Sequence, residues 1–150
     1  MDLWRISNYD DLSGVGGLKA PGRWHSKGNP VVYFGENPSL CMLETLVHLD
    51  LRADEIPENY QLLHVAVEDF VSVASLDPEG LPFEWEFNYW LTRAIGDEFL
   101  RERSAALLKV PSVLVPDQFN YIFNPLHEHA QGVSIISVKA HPYDKRLVSR

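Results

Sequence analysis

Glu44 is the residue whose surroundings most require an explanation. It falls in PSLCMLETLVHLDL, where Leu40, Leu43, Val47 and Leu51 recur at helical spacing on the face that also carries the carboxylate. Asn37 as cap and Pro38 at the first position mark the start of this helix, and its apolar residues run almost all round it, so it reads as buried. A carboxylate there is costly unless it is paired, hydrogen-bonded or used in chemistry. A buried ion pair, or a hydrogen bond to His48 one turn on, is the purely structural alternative.

Arg23 comes next, in Gly22-Arg23-Trp24-His25. A guanidinium presents donors in a fixed fork suited to a pyrophosphate or a carboxylate. Trp24 and His25 could stack on a ring or bond a ribose hydroxyl. Alone the segment says little, because loop arginines are usually solvated. Arg5 follows Trp4 on a short strand and either faces solvent or reaches a polar site. Tyr33 lies in the apolar run VVYF, where a core aromatic is the ordinary reading. Ser112 sits at a strand break in VPSVLVP without a GxSxG signature, so no nucleophile triad can be assigned. Asn124 belongs to the polar and aromatic stretch NYIFNPLH, readable as a site wall or an ordered loop.

Other chemistries find little support. Among six histidines only His127 and His129 fall close together, and no further ligand follows at recognised spacing, so no metal is expected. The lone Cys41 allows no internal disulfide and reads as inert core, in keeping with a reducing cytoplasm. The loop from Ser13 to Gly22 is glycine-rich but lacks GxxxxGK[ST]. The net charge is −8, and the basic residues are scattered apart from Lys145, Arg146 and Arg150. Nucleic acid is therefore disfavoured as a partner and an RNA-cleaving role with it, whereas a small anion needs only one or two arginines. No apolar run is long enough to span a membrane, and the opening MDLWRISNYDDL has no secretory pattern.

The elements that must position these groups read as follows. Strands are expected at Leu3–Ile6, Val31–Phe34, Ala105–Val110 and Val133–Val138, with a short extended piece at Ser112–Val115. QLLHVAVEDFVSVASL holds two strands or one bent one, and helices are expected from Pro38 to about Leu51 and from Asn88 to about Arg103. Strands and helices mix without regular alternation, so the fold class is α+β in one domain over residues 1–150.

Five segments together resemble the RES-domain family: LWRI, GGLKAPGRWHSKGNPVVYF, SLCMLETLVHL, LLKVPSVLVPDQFNYIFNPLH and YDKRL. Their order and spacing cover most of the chain; Asp77 to Phe87 aligns least. The resemblance implies an ADP-ribosyltransferase-like, split, mostly antiparallel sheet with flanking helices. It implies a cytoplasmic toxin that degrades NAD+ at the nicotinamide–ribose bond, with an Xre-type helix-turn-helix antitoxin as partner and an oligomer allowed within that complex. By the same resemblance Arg23, Glu44 and Ser112 are the catalytic positions, and Arg5, Arg23, His25, Tyr33 and Asn124 are NAD+-binding. Two alternatives stand beside it. One is an ADP-ribosyltransferase toxin acting on a cellular protein; the other is a non-catalytic binding module in which Glu44 and Arg23 form a buried pair.

Overall fold

The computed structural model describes residues 1–49 and 56–147. Ten regular elements follow in chain order. They are β1 (Asp2–Ile6), α1 (Val15–Lys19), β2 (Val32–Gly35), α2 (Pro38–His48), β3 (Asn59–Val67), β4 (Val73–Ser75), α3 (Tyr89–Glu102), β5 (Leu107–Pro111), β6 (Phe119–Phe123) and β7 (Val133–Pro142). The strands form one seven-stranded sheet in the order β4-β5-β6-β2-β1-β3-β7. Only β4 and β5 are parallel; the other neighbours run antiparallel. The fold is α+β, as the sequence indicates.

The sheet is almost cut in two. β1 pairs with β3 along its whole length, but it meets β2 only at Trp4↔Gly35. That single pair joins β4-β5-β6-β2 to β1-β3-β7, and it is the split of the sheet. Paired residues point to the same face, so Asn120, Gly35 and Trp4 form a row across the seam.

Each face has its own core. Leu3, Val32, Phe34, Leu63, Val65, Leu107, Tyr121, Phe123 and Val133 are buried in one cluster that draws on both halves of the sheet. On the other face Leu108, Val110 and Ile122 pack against Phe99 and Leu100 of α3 and against Trp24. α2 lies over this second face at the seam, where Gly35 makes room for it. A Cβ at Gly35 would stand 2.7 Å from Cys41 Sγ. The Cys41 thiol donates to the Trp4 carbonyl at 3.2 Å, and burial pushes its pKa up to about 12, so it is inert packing.

Several local expectations change. The glycine-rich loop contains the short α1. QLLHVAVEDFVSVASL resolves into two strands toward opposite ends of the order, β3 between β1 and β7 and β4 at the edge beside β5. Ser112–Val115 is a loop rather than a strand, and β6 occupies the stretch read as wall or loop. α2 is not buried all round. Leu40 and Cys41 are buried, but Leu43 is 45% exposed and Val47 60%, because a helix laid across one sheet face covers only a stripe of itself. Leu51 lies outside the described residues.

Candidate active site

The seam holds the first group of polar side chains. Glu44 lies one turn beyond Cys41 on α2 and is half-buried. Its Oε1 accepts hydrogen bonds from Asn120 Nδ2 at 2.9 Å and from Ser112 Oγ at 3.3 Å. Both donors are neutral, and among the described residues Glu44 has no ion-pair partner. The carboxylate is therefore oriented but not neutralised, unlike one in a structural ion pair. No bond to His48 occurs among the described residues.

Local sequence explains why these groups meet. The Asn37 side chain caps α2 by accepting from Leu40 N–H at 2.8 Å, worth about 1 kcal/mol. Its amide nitrogen also donates to Gln118 Oε1 at 2.8 Å, tying the helix start to the β5–β6 loop. Glu36 Oε1 accepts from Phe119 N–H at 3.0 Å, a second tie to the same loop. Within that loop Ser112 Oγ accepts from Leu114 N–H and Val115 N–H at 3.1 and 3.2 Å. With its oxygen held by two backbone donors, the hydroxyl proton is left to point at Glu44. Asp117, at φ 62°, makes the left-handed residue that lets the loop turn back.

Arg23 belongs to a second group at the start of α3. Its Nη1 donates to the Glu86 carbonyl and its Nη2 to Tyr89 Oη at 3.2 Å, with the guanidinium carbon 4.3 Å from the Tyr89 ring centroid. Its backbone is pinned independently. Thr92 Oγ1 on α3 donates to the Arg23 carbonyl at 2.6 Å, and Gly96 gives the Trp24 backbone a place against the helix that no Cβ could share.

His25 and Tyr33 hold the same loop from the sheet side. His25 is buried, and burial lowers its pKa. Its Nε2 meets the Ala20 carbonyl at 2.9 Å, which fixes the proton there, so Nδ1 accepts from Tyr33 Oη at 2.7 Å. Tyr33 Oη in turn accepts from Trp24 N–H at 3.1 Å, and burial raises the pKa of its phenol. Every polar atom of the pair is thus used within the fold. Asn124 is similar. It is buried, its Nδ2 donates to the Leu100 carbonyl at 3.0 Å and its Oδ1 accepts from Leu126 N–H at 3.0 Å. Arg5 lies on the strand face opposite Trp4, donates to the Asp11 carbonyl at 3.1 Å, and has its pKa lowered mainly by burial.

An open pocket is lined by residues that adjoin both groups. Phe83, Glu84, Glu86, Phe87 and Val113 line it. Val113 follows Ser112, and Glu86 supplies the carbonyl that holds Arg23. The structure brings Glu44 and Ser112 together, holds Arg23 in a separate group with Glu86 and Tyr89, and ties His25, Tyr33 and Asn124 into the frame. Sequence reasoning included Asn120 in a stretch readable as site wall or loop but did not single it out, although it is a polar residue on the same strand face as buried Ile122. That is the anomaly that marks Glu44, and it offered the same signal. Tyr89, Thr92 and Arg93 were missed because only the fold brings α3 to Arg23. Among the described residues no cluster of three or more His, Cys, Asp or Glu could hold a metal.

Comparison with known proteins agrees with this architecture. The RES domain model matches residues 2–145. A Pseudomonas putida protein named Toxin Res is 46% identical over 147 residues, which cover 98% of this chain and 99% of that protein. A Sphingobium protein named Prs ADP-ribosylating toxin is 34% identical, with 99% of this chain and 97% of that protein covered. Among solved structures, the M. tuberculosis MbcT–MbcA toxin–antitoxin complex contains a chain with the same fold, at a TM-score of 0.72 and 18% identity, covering 99% of this chain and 86% of that one. By its sequence along nearly its whole length, this chain belongs to the RES-domain family.

Proposed function

We infer that this chain is the toxin of a toxin–antitoxin pair and that it destroys NAD+ by cleaving the nicotinamide–ribose bond. The observation that carries this reading is the state of Glu44: half-buried, aimed by Ser112 and Asn120, and without a charge partner among the described residues. Such a carboxylate can stabilise a cation that forms only in the transition state.

The chemistry requires that. In NAD+ the pyridinium nitrogen already carries the positive charge, so the leaving group needs no proton. The C1′–N1 bond breaks with its electron pair going to nitrogen, which releases neutral nicotinamide and leaves an oxocarbenium-like ribose. Glu44 places its charge beside that ribose or accepts from a ribose hydroxyl, and Ser112 and Asn120 keep it aimed. Water adds at C1′ and gives up a proton, yielding ADP-ribose. Arg23 holds the pyrophosphate across the pocket. His25, Tyr33 and Asn124 support NAD+ binding indirectly, by holding the frame and the Arg23 loop, while Arg5 is engaged with Asp11 on the opposite strand face. NAD+ is the substrate, and no metal is required by these steps.

Transfer of ADP-ribose to a protein acceptor is the second reading, favoured by the name of the Sphingobium relative. Chromatography of purified protein with NAD+ separates the two. Nicotinamide and ADP-ribose in equal amounts indicate hydrolysis; nicotinamide without matching ADP-ribose indicates transfer. Intact NAD+ in a folded sample incubated with cell lysate as acceptor source would refute both.

The partner in this reading is an Xre-type antitoxin that covers the pocket in the cytoplasm. Phe83 and Phe87 line that pocket at 93% and 80% exposure, and Trp90, three residues after Phe87, is 82% exposed, more aromatic surface than a folded domain usually leaves uncovered. Serine at Phe83 or Trp90 should weaken antitoxin binding in a pull-down with the protein encoded alongside.

A further inference from the structure

Arg93 is not among the residues that the sequence assigns to the site, yet it stands next to Arg23. It projects from the first turns of α3, and its guanidinium carbon lies 5.1 Å from the centroid of the Tyr89 ring that Arg23 also covers at 4.3 Å. Its Nε donates to the Gly22 carbonyl at 2.8 Å, fixing it against the residue before Arg23.

Two guanidinium groups sharing one tyrosine ring repel each other, and the usual remedy is a carboxylate between them. None is present among the described residues: neither arginine has an ion pair. The natural counter-ion is Asp97, one turn along α3 from Arg93. It is turned elsewhere, accepting from Ser26 N–H at 2.8 Å and Asn29 Nδ2 at 3.3 Å. Glu86 meets Arg23 through its backbone carbonyl only. In a chain of net charge −8, with acidic residues in excess, an arginine pair left without a counter-charge fits an anionic ligand better than a structural role. Arg93 forms no hydrogen bond to a described residue through its two terminal amino groups, so they are available to such a ligand.

We propose that Arg93 and Arg23 together form a clamp for a diphosphate, with one guanidinium for each phosphate of the NAD+ pyrophosphate. The assignment rests on the NAD+ reading above. It gives the second cationic contact to Arg93 rather than Arg5, which lies on the opposite strand face and is engaged with Asp11.

The test pairs kinetics with a binding measurement that needs no turnover. Arg93→Ala should raise KM for NAD+ about tenfold or more while kcat changes less than about twofold, and Arg93→Lys should recover part of the loss. Calorimetric titration with ADP-ribose should show the same loss of affinity in Arg93→Ala. An unchanged KM, or a fall confined to kcat, would overturn the clamp. If the wild type cleaves no NAD+ but binds ADP-ribose in an Arg93-dependent way, the clamp stands and the cleavage reading falls. If wild type and Arg93→Ala bind ADP-ribose equally, or the wild type does not bind it, the clamp is refuted whatever happens to NAD+.

Discussion

Glu44 Oε1 accepts a hydrogen bond from Asn120 Nδ2 at 2.9 Å, joining helix α2 to strand β6 across 76 residues of chain. Asn120 pairs with Gly35, and Gly35 with Trp4, so this contact stands where the two halves of the sheet meet. A shift of α2 or of the seam moves the carboxylate. The site is therefore as rigid as the packing beneath it.

Asn120 acts through Glu44. Replacing it with alanine should lower kcat about tenfold, the worth of one hydrogen bond, with KM for NAD+ nearly unchanged. Steady-state kinetics beside a thermal melt check this. A large KM increase with kcat intact would show instead that Asn120 touches substrate.

Arg23 separates the enzyme from the binding module. Its loop is pinned through the backbone by Thr92, and its side chain stacks on the half-exposed Tyr89. Arg23→Ala should therefore stay folded, with Tm within a few degrees of the wild type, about 1 kcal/mol or less. KM for NAD+ should rise steeply, and Arg23→Lys should fall between the two, because a point charge cannot replace the fork. Circular dichroism with kinetics decides; unfolding of Arg23→Ala would favour a structural role.

His25 makes stability depend on pH. Burial holds its folded pKa below the ordinary 6.5, so the unfolded chain binds the proton more readily. The stability it contributes is complete above pH 6.5 and is lost as pH falls through the lower folded value. Between about pH 7.5 and about pH 5.5 the Tm of the wild type should drop more than that of His25→Gln. Parallel slopes would mean that His25 is not the group responsible.

Gly35 and Cys41 should behave as a coupled pair. Gly35→Ala puts a methyl 2.7 Å from Cys41 Sγ and should destabilise by about 1–3 kcal/mol while displacing Glu44. Adding Cys41→Ala removes the clash and should recover much of both stability and turnover. Additive losses in denaturant titrations would contradict the close packing at the seam.

Glu44 was legible in sequence because it breaks a local rule, a charge on an apolar helix face, whereas Arg23 in GRWH stood out only through the resemblance of the whole chain to a family. α2, α3 and most strands follow from hydrophobic period and caps such as Asn37. The extent to which α2 is exposed was not legible, since the width of a buried stripe depends on what covers the helix. β6 was obscured because Asn120 within it and Asn124-Pro125 directly after it give this five-residue strand the polar and aromatic mix of a loop. The use of His25, Tyr33 and Asn124 within the frame was hidden for a different reason. Their side chains satisfy partners such as Ala20 O, Trp24 N–H and Leu100 O that the fold alone brings near.

The central claim is that an oriented, unneutralised Glu44 drives loss of nicotinamide from NAD+. The most direct measurement compares wild type and Glu44→Gln, following nicotinamide release by chromatography and ADP-ribose binding by calorimetry. Glutamine keeps an oxygen to accept from Asn120 and Ser112 but removes the charge. The account predicts ADP-ribose affinity close to wild type and turnover lower by about a hundredfold or more. Nicotinamide release at the wild-type rate from folded Glu44→Gln would contradict it.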